Sequence, residues 1–171
     1  MRHERAGPAP VRKARPEEFG RLRAIELEAD DLYLTIGIGP FPADDAHDRF
    51  HEMAVVFAAG DPAVGFVSIE LLDGEAHIDQ LSVLASHGGR GTGRALLDEA
   101  IRWARASGLE GVTLTTFRDV PWNAPFYRRV GFEVVAEPRP GLAAYRAAER
   151  AEGFDGFGPR VAMRLALVPD R

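Results

Sequence analysis

Apolar positions along the chain repeat with two periods, one helical and one strand-like. From Pro16 onward, Phe19, Leu22, Ile25, Leu27 and Leu32 fall near helical spacing, which predicts a helix over 17–32. After the run Gly37-Ile38-Gly39-Pro40-Phe41-Pro42, a short polar helix is expected at 44–51. Residues 53–59 and 63–72, parted by Gly60-Asp61-Pro62, read as two strands, and Asp73-Gly74 marks a tight turn into a third, 76–83. The clearest helix follows Gly93. There Leu96, Leu97, Ala100, Ile101 and Ala104 form one stripe, Asp98 faces Arg102 one turn on, and Gly108 ends the helix. Residues 112–117 are a β-branched strand. Asn123 is then placed to cap a short helix with Pro125 in its first turn and Gly131 past its end. A strand at 132–136, an alanine-rich helix at 142–152 and a strand at 161–168 follow, and 11–15 is a short first strand. The order βα(α)βββαβαβ(α)β predicts an α/β fold, a mixed and mostly antiparallel central sheet with helices on both faces.

Composition narrows the function. A length of 171 residues suits one domain. With 46% hydrophobic and 27% charged residues, a buried core is expected and wholesale disorder is not. The net charge of -5 provides no global basic field, so neither nucleic acid nor an anionic membrane is an expected partner. The absence of cysteine removes disulfides, thiolate nucleophiles and Cys-ligated metals, and fits a reducing cytoplasm. The charged start Met1-Arg2-His3-Glu4-Arg5 has no apolar run behind it, so 1–10 reads as a frayed tail ahead of a domain at 11–171. The basic residues are nearly all Arg, with Lys13 the exception, as in the chains of GC-rich bacterial genomes.

The sharpest chemical feature is Gly88-Gly89-Arg90-Gly91-Thr92-Gly93, set between a strand and the amphipathic helix. Glycines at such a junction let main-chain N–H groups converge beside a positive helix end, which suits a pyrophosphate, or they form a plain connecting loop. Arg90 and Arg94 add full charges. A Walker loop would need Lys and then Ser or Thr after the last glycine, where Arg94 and Ala95 stand. A Rossmann fingerprint would need Gly or Ala three residues past Gly91 or Gly93, where Arg94 and Leu96 stand.

With Leu81-Ser82-Val83 before it and Ala95-Leu96-Leu97 after it, the segment Gly89-Arg90-Gly91-Thr92-Gly93-Arg94 resembles the acyl-CoA motif of the GNAT superfamily of N-acyltransferases. Gly88 occupies the motif's usual Gln or Arg place. Asn123-Ala124-Pro125-Phe126-Tyr127-Arg128-Arg129-Val130-Gly131-Phe132 resembles the second half of that site; Val120 stands where many members carry Asn, and Asn123 is the nearest alternative. The resemblance implies a single-domain GNAT-type fold whose sheet is splayed at the acyl-CoA site. It also implies acetyl-CoA as cosubstrate, no metal, and direct acetyl transfer to the amine of a small-molecule or peptide acceptor. Leu81, Ser82 and Val83 would pair with the pantetheine arm, Gly89 to Arg94 would hold the pyrophosphate, and Tyr127 would protonate the departing thiolate. A phenol of pKa near 10 matches a thiolate's basicity. The family's acidic base often lies on the strand before the loop, which makes Asp79 and His77, two residues apart, the candidates, with Glu70 in reserve. The same resemblance admits a catalytically silent acyl-CoA sensor, and the glycine loop alone admits a nucleotide-binding protein. A homodimer is left open.

His47 and His51, four apart among Asp44, Asp45, Asp48 and Glu52, would share one side of an α-helix. They lack the His-Glu-X-X-His pattern of a zinc site, and the acids read either as a solvated face or as a surface that draws a cationic amine. Gly153-Phe154-Asp155-Gly156-Phe157-Gly158 is either a cleft wall or a hydrophobic plug.

Overall fold

The strands assemble by the hairpin logic read above, and the order in the sheet is β1-β2-β3-β4-β5-β7-β6. This computed structural model describes residues 6–42 and 46–168. Its elements are β1 (Val11–Lys13), α1 (Phe19–Leu34), β2 (Val55–Ala59), β3 (Gly65–Leu72), β4 (Glu75–Val83), α2 (Thr92–Ala106), β5 (Gly111–Phe117), α3 (Ala124–Val130), β6 (Glu133–Val134), α4 (Pro140–Ala151) and β7 (Arg160–Ala166). β1 pairs antiparallel with β2, β2 with β3, and β7 with both β5 and β6; β4 and β5 run parallel, through Ala76–Val112 and His77–Thr113. The sheet is therefore mixed and open, with β1 and β6 at its edges. By contact the chain divides into two compact units, one of residues up to Ile69 with Asp79–Arg102, the other of Glu70–Ile78 with the residues from Trp103 onward.

In the first unit Phe19, Leu22 and Ile25 of α1 close on Phe50, Val56, Ala58 and Phe66. Strand alternation turns Phe66 and Ser68 toward α1 and presents Gly65 to the other side, where Leu96 of α2 packs. A Cβ on Gly65 would stand 2.9 Å from the Ser82 carbonyl oxygen and 3.2 Å from Leu96, so only glycine allows this approach of β3, β4 and α2. The chain is already docked at Ala9, whose N–H reaches Thr92 Oγ1 (3.4 Å), one residue inside the segment expected to fray.

In the second unit β5 and β7 pair over seven positions, from Gly111–Ala166 to Phe117–Arg160. Glu75 is 2% exposed and is held by Arg164, whose Nε lies 3.0 Å from its Oε1. A Cβ on Gly111 would stand 2.8 Å from both members of that pair, so the glycine makes room for it. Asp73 and Gly74 both have positive φ (56° and 74°), the pattern of a type I′ hairpin turn. The Asp73 carboxylate accepts the N–H groups of Gly141 (2.7 Å) and Leu142 (2.9 Å), capping α4 from 68 residues away in sequence.

Several expectations are corrected. The segment predicted as a polar helix at 44–51 is a 3₁₀ helix, Ala46–Glu52. Positions three apart share a side there, so the spacing of His47 and His51 no longer aligns them. Asp44, Asp45 and the side chain of His47 lie outside the described residues, and the His51 ring packs on Phe19 at 4.9 Å between centroids. On α2, Asp98 pairs with Arg94 (2.9 Å) instead of Arg102, because Arg102 is taken by Glu99 three residues back. Asn123 occupies the N-cap position of α3 without capping it, since its side-chain oxygen accepts the Thr116 hydroxyl instead. β6 is two residues long, short of the expected 132–136, as Pro138 and Pro140 close the ladder soon after. Leu27 and Leu32 of α1 are 48% and 39% exposed, while Glu26 is 7% exposed.

Candidate active site

The residues expected to hold an acyl-CoA are built from the end of β4 and the start of α2. Ser82 is buried and accepts a hydrogen bond from Gln80 (2.9 Å); Leu81 and Val83 are half-buried on either side of it. Val83 Cγ2 lies 3.8 Å from where a Cβ on Gly93 would stand, which brings the strand and loop halves of the motif together. Gly89 (φ 71°) and Gly91 (φ 84°) adopt the left-handed region and have open space where a Cβ would stand, so the main chain of the loop is open to approach. Thr92, Gly93 and Arg94 form the first turn of α2, whose N–H groups have no acceptor within the helix. Arg90 and Arg94 are exposed. An open glycine loop, a helix N-terminus and two exposed guanidinium groups are donors of the kind a pyrophosphate requires, so the residues present fit the cosubstrate.

In the second unit Tyr127 lies on α3, 8% exposed, its ring edge-on to Phe126 (5.2 Å) and Phe132 (5.7 Å). Gly131 (φ 115°) ends the helix, and the N–H groups of Gly131 and Phe132 return to its last carbonyls. His77, the other candidate base, is fully buried: Nδ1 is 2.9 Å from Thr113 Oγ1, and the ring packs on Tyr145 of α4 at 4.4 Å. The turn Phe154–Phe157 is pinned through Asp155 to Arg146 (3.1 Å) and Arg150 (3.3 Å), with the Arg160 guanidinium over Phe154 and Phe117. Burial pushes the Asp155 carboxyl up, but these two guanidinium groups hold it below its ordinary value.

Asp79 belongs to a network in the first unit. Its Oδ2 accepts from Ser68 Oγ (2.8 Å) and from Arg49 Nε (3.2 Å). Arg49 continues to Glu26 (2.8 Å), which also holds Arg23 (2.8 Å). Burial works against the Arg49 charge, yet Asp79 and Glu26 more than offset it and raise its pKa. Asp30, one helical turn beyond Glu26, takes no hydrogen bond or ion pair among the described residues; burial first, and then the Glu26 charge, push its pKa up to about 7. Sequence reading missed Glu26, Asp30 and Arg49. The only signal for them was a carboxylate inside an apolar stripe, at Glu26, four residues before another.

A model of the acetyltransferase (GNAT) family matches residues 20–132. Among solved structures, the chain is similar to a Mycobacterium tuberculosis protein in complex with CoA, at 21% identity over 93% of this chain and 99% of that one, with a TM-score of 0.67. It is similar to a GNAT family acetyltransferase of Brucella melitensis in complex with acetyl-CoA, at 20% identity over 97% and 92%, TM-score 0.61. It is also similar to the ribosomal-protein-S18-alanine N-acetyltransferase of Escherichia coli, at 16% identity over 95% and 96%, TM-score 0.65. At these identities the likeness is one of fold.

Proposed function

We propose that this chain, which belongs to the GNAT family of acetyltransferases, transfers the acetyl group of acetyl-CoA directly to a primary amine of a small-molecule or peptide acceptor. The observation that carries this reading is the open glycine cradle at Gly89 and Gly91, leading into α2 between two arginines. Acetyl-CoA supplies an acetyl group activated as a thioester. Main-chain N–H groups of Gly89 to Arg94 would hold its pyrophosphate, with Arg90 and Arg94 neutralising charge. The main chain of Leu81, Ser82 and Val83 would pair with the pantetheine arm. Tyr127 would donate its phenolic proton to the leaving sulfur. Asp79 would take the amine proton directly or through water, with His77 the alternative. Asn123, whose side-chain oxygen accepts the Thr116 hydroxyl, would meet the cosubstrate through its side-chain amide. None of the described helices is long and apolar enough to cross a membrane. The chain's lack of cysteine supports a cytoplasmic place.

The test is a screen of primary amines with acetyl-CoA, read by release of free thiol, together with calorimetric titration of CoA. Gly91→Asp sets a carboxylate in the cradle, whereas Gly91→Asn sets a neutral group of the same shape there and tolerates positive φ equally. CoA affinity should fall far more for Asp than for Asn. Equal affinities for Gly91→Asp and the parent would remove the phosphate assignment.

A further inference from the structure

We propose that the outward face of α1 is the interface of a homodimer, in which this helix pairs antiparallel with α1 of a second copy of the chain. The inference goes beyond the acetyltransferase reading and does not depend on it.

α1 buries Phe19, Leu22, Ile25 and Glu26 and leaves a second seam outside. Gly20, Ala24, Leu27, Asp31 and Leu34 are exposed and follow one another at spacings of four, three, four and three residues. At about 3.6 residues per turn these positions fall within about 80° of one another, the seam along which two helices meet in a coiled coil. Leu27 and Leu34, 48% and 49% exposed, are its large apolar members. Gly20 lies inside the helix, where glycine is unfavourable, and a Cβ there would have open space. Nothing among the described residues calls for a missing side chain at Gly20, whereas a second helix lying close across it would.

Charge and size each choose the occupant and its direction. Arg21 stands beside the seam in its first half and Glu28 on the same side in its second, both exposed, with Asp31 on the seam itself. Among the described residues none of the three has an ion pair; Arg21 gives its Nε to the Ala63 carbonyl (2.7 Å). A parallel pair would set Arg21 against Arg21 and Glu28 against Glu28, which is repulsive. In an antiparallel pair whose two-fold axis passes between Ala24 and Leu27, Arg21 of each copy meets Glu28 of the other, with Asp31 one turn on. The same axis lays Leu27 on Ala24 and Asp31 on Gly20, so every larger side chain faces a small residue. One helix thus carries both halves of the fit, the self-complementarity that a two-fold interface requires. A single helix pair buries less than the roughly 1,200–2,000 Å² of stable complexes, so the dimer is weak and its population follows concentration.

Sedimentation equilibrium of the full chain from about 1 to 500 µM in low salt should show monomer and dimer in exchange, with a Kd that rises as added salt screens the exposed charges. Glu28→Arg changes an exposed side chain that has no ion pair among the described residues, so it should fold with the parental Tm. It should raise Kd about 10-fold or more, because two attractive pairs become two repulsive ones. Arg21→Glu should also weaken the dimer, and the double reversal Arg21→Glu/Glu28→Arg should bind more tightly than either single variant, which neither a folding defect nor a different interface would produce. Leu27→Asp, which sets a carboxylate at the centre of the seam, should leave only monomer. A parent that stays monomeric over the whole range overturns the proposal. So does a dimer whose Kd ignores Glu28→Arg, or a double reversal no tighter than the single variants.

Discussion

A phenol acts as an acid only if its proton is aimed and its ring is held. Packing of Tyr127 between Phe126 and Phe132 supplies the second condition. Tyr127→Phe keeps the ring and removes the proton, so CoA affinity and stability should change little while the chemical step slows about 10²-fold to 10⁴-fold. Single-turnover acetyl transfer at saturating acceptor is the measurement that isolates this step from product release. A parental rate there would leave water as the donor and Tyr127 as packing. Tyr127 is legible as a candidate because the motif is local, Tyr127 standing four before Gly131. Glu26, Asp30 and Arg49 are not, since Arg49 meets Glu26 across 23 positions and Asp79 across 30. Burial of Glu26 follows from those partners, and no period in α1 announces them.

Among elements, α4 shows how a turn and a helix become one device. Asp73 is set at φ 56° by the hairpin, and its carboxylate takes two first-turn N–H groups of α4. Asp73→Ala loses both functions and should cost about 0.5–2 kcal/mol in urea unfolding, the range for lost helix caps. Asp73→Asn, which tolerates the same φ and still offers an acceptor, should cost less. An unchanged midpoint for Asp73→Ala would show the cap to be idle. The strands and helices were legible in sequence because their apolar periods are clean and their ends carry Gly, Pro or Asp-Gly. The cap was not, because it joins residues 68 apart, and the 3₁₀ segment was not, because seven polar-rich residues carry no period that separates it from an α-turn.

For the whole molecule, the Asp30 carboxyl has a consequence for stability. In the unfolded chain it titrates near 3.9, and in the folded protein at about 7, so the folded state holds the proton more tightly. Its contribution is therefore most favourable below about pH 4, declines as pH rises from 4 to 7, and is level above that. Asp30→Asn, neutral at every pH, should raise the Tm relative to the parent at pH 8 and much less at pH 5. A pH-independent difference would place the Asp30 proton elsewhere.

The strand order also fixes a sequence of events in time. β7 is the strand that follows α4, yet it lies between β5 and β6 and pairs with β5 at seven positions. A nascent chain emerging from the ribosome therefore makes β5 more than forty residues before its antiparallel neighbour exists. Until then β5 has only its two-position ladder with β4 and offers an open edge of Val112, Leu114 and Phe117. Chains released early, ending before Arg160, would keep that edge, and edges of this composition recruit other chains. Translation that stalls on α4 would thus yield insoluble fragments, while the same pause after Ala166 would release a chain that can close its own sheet.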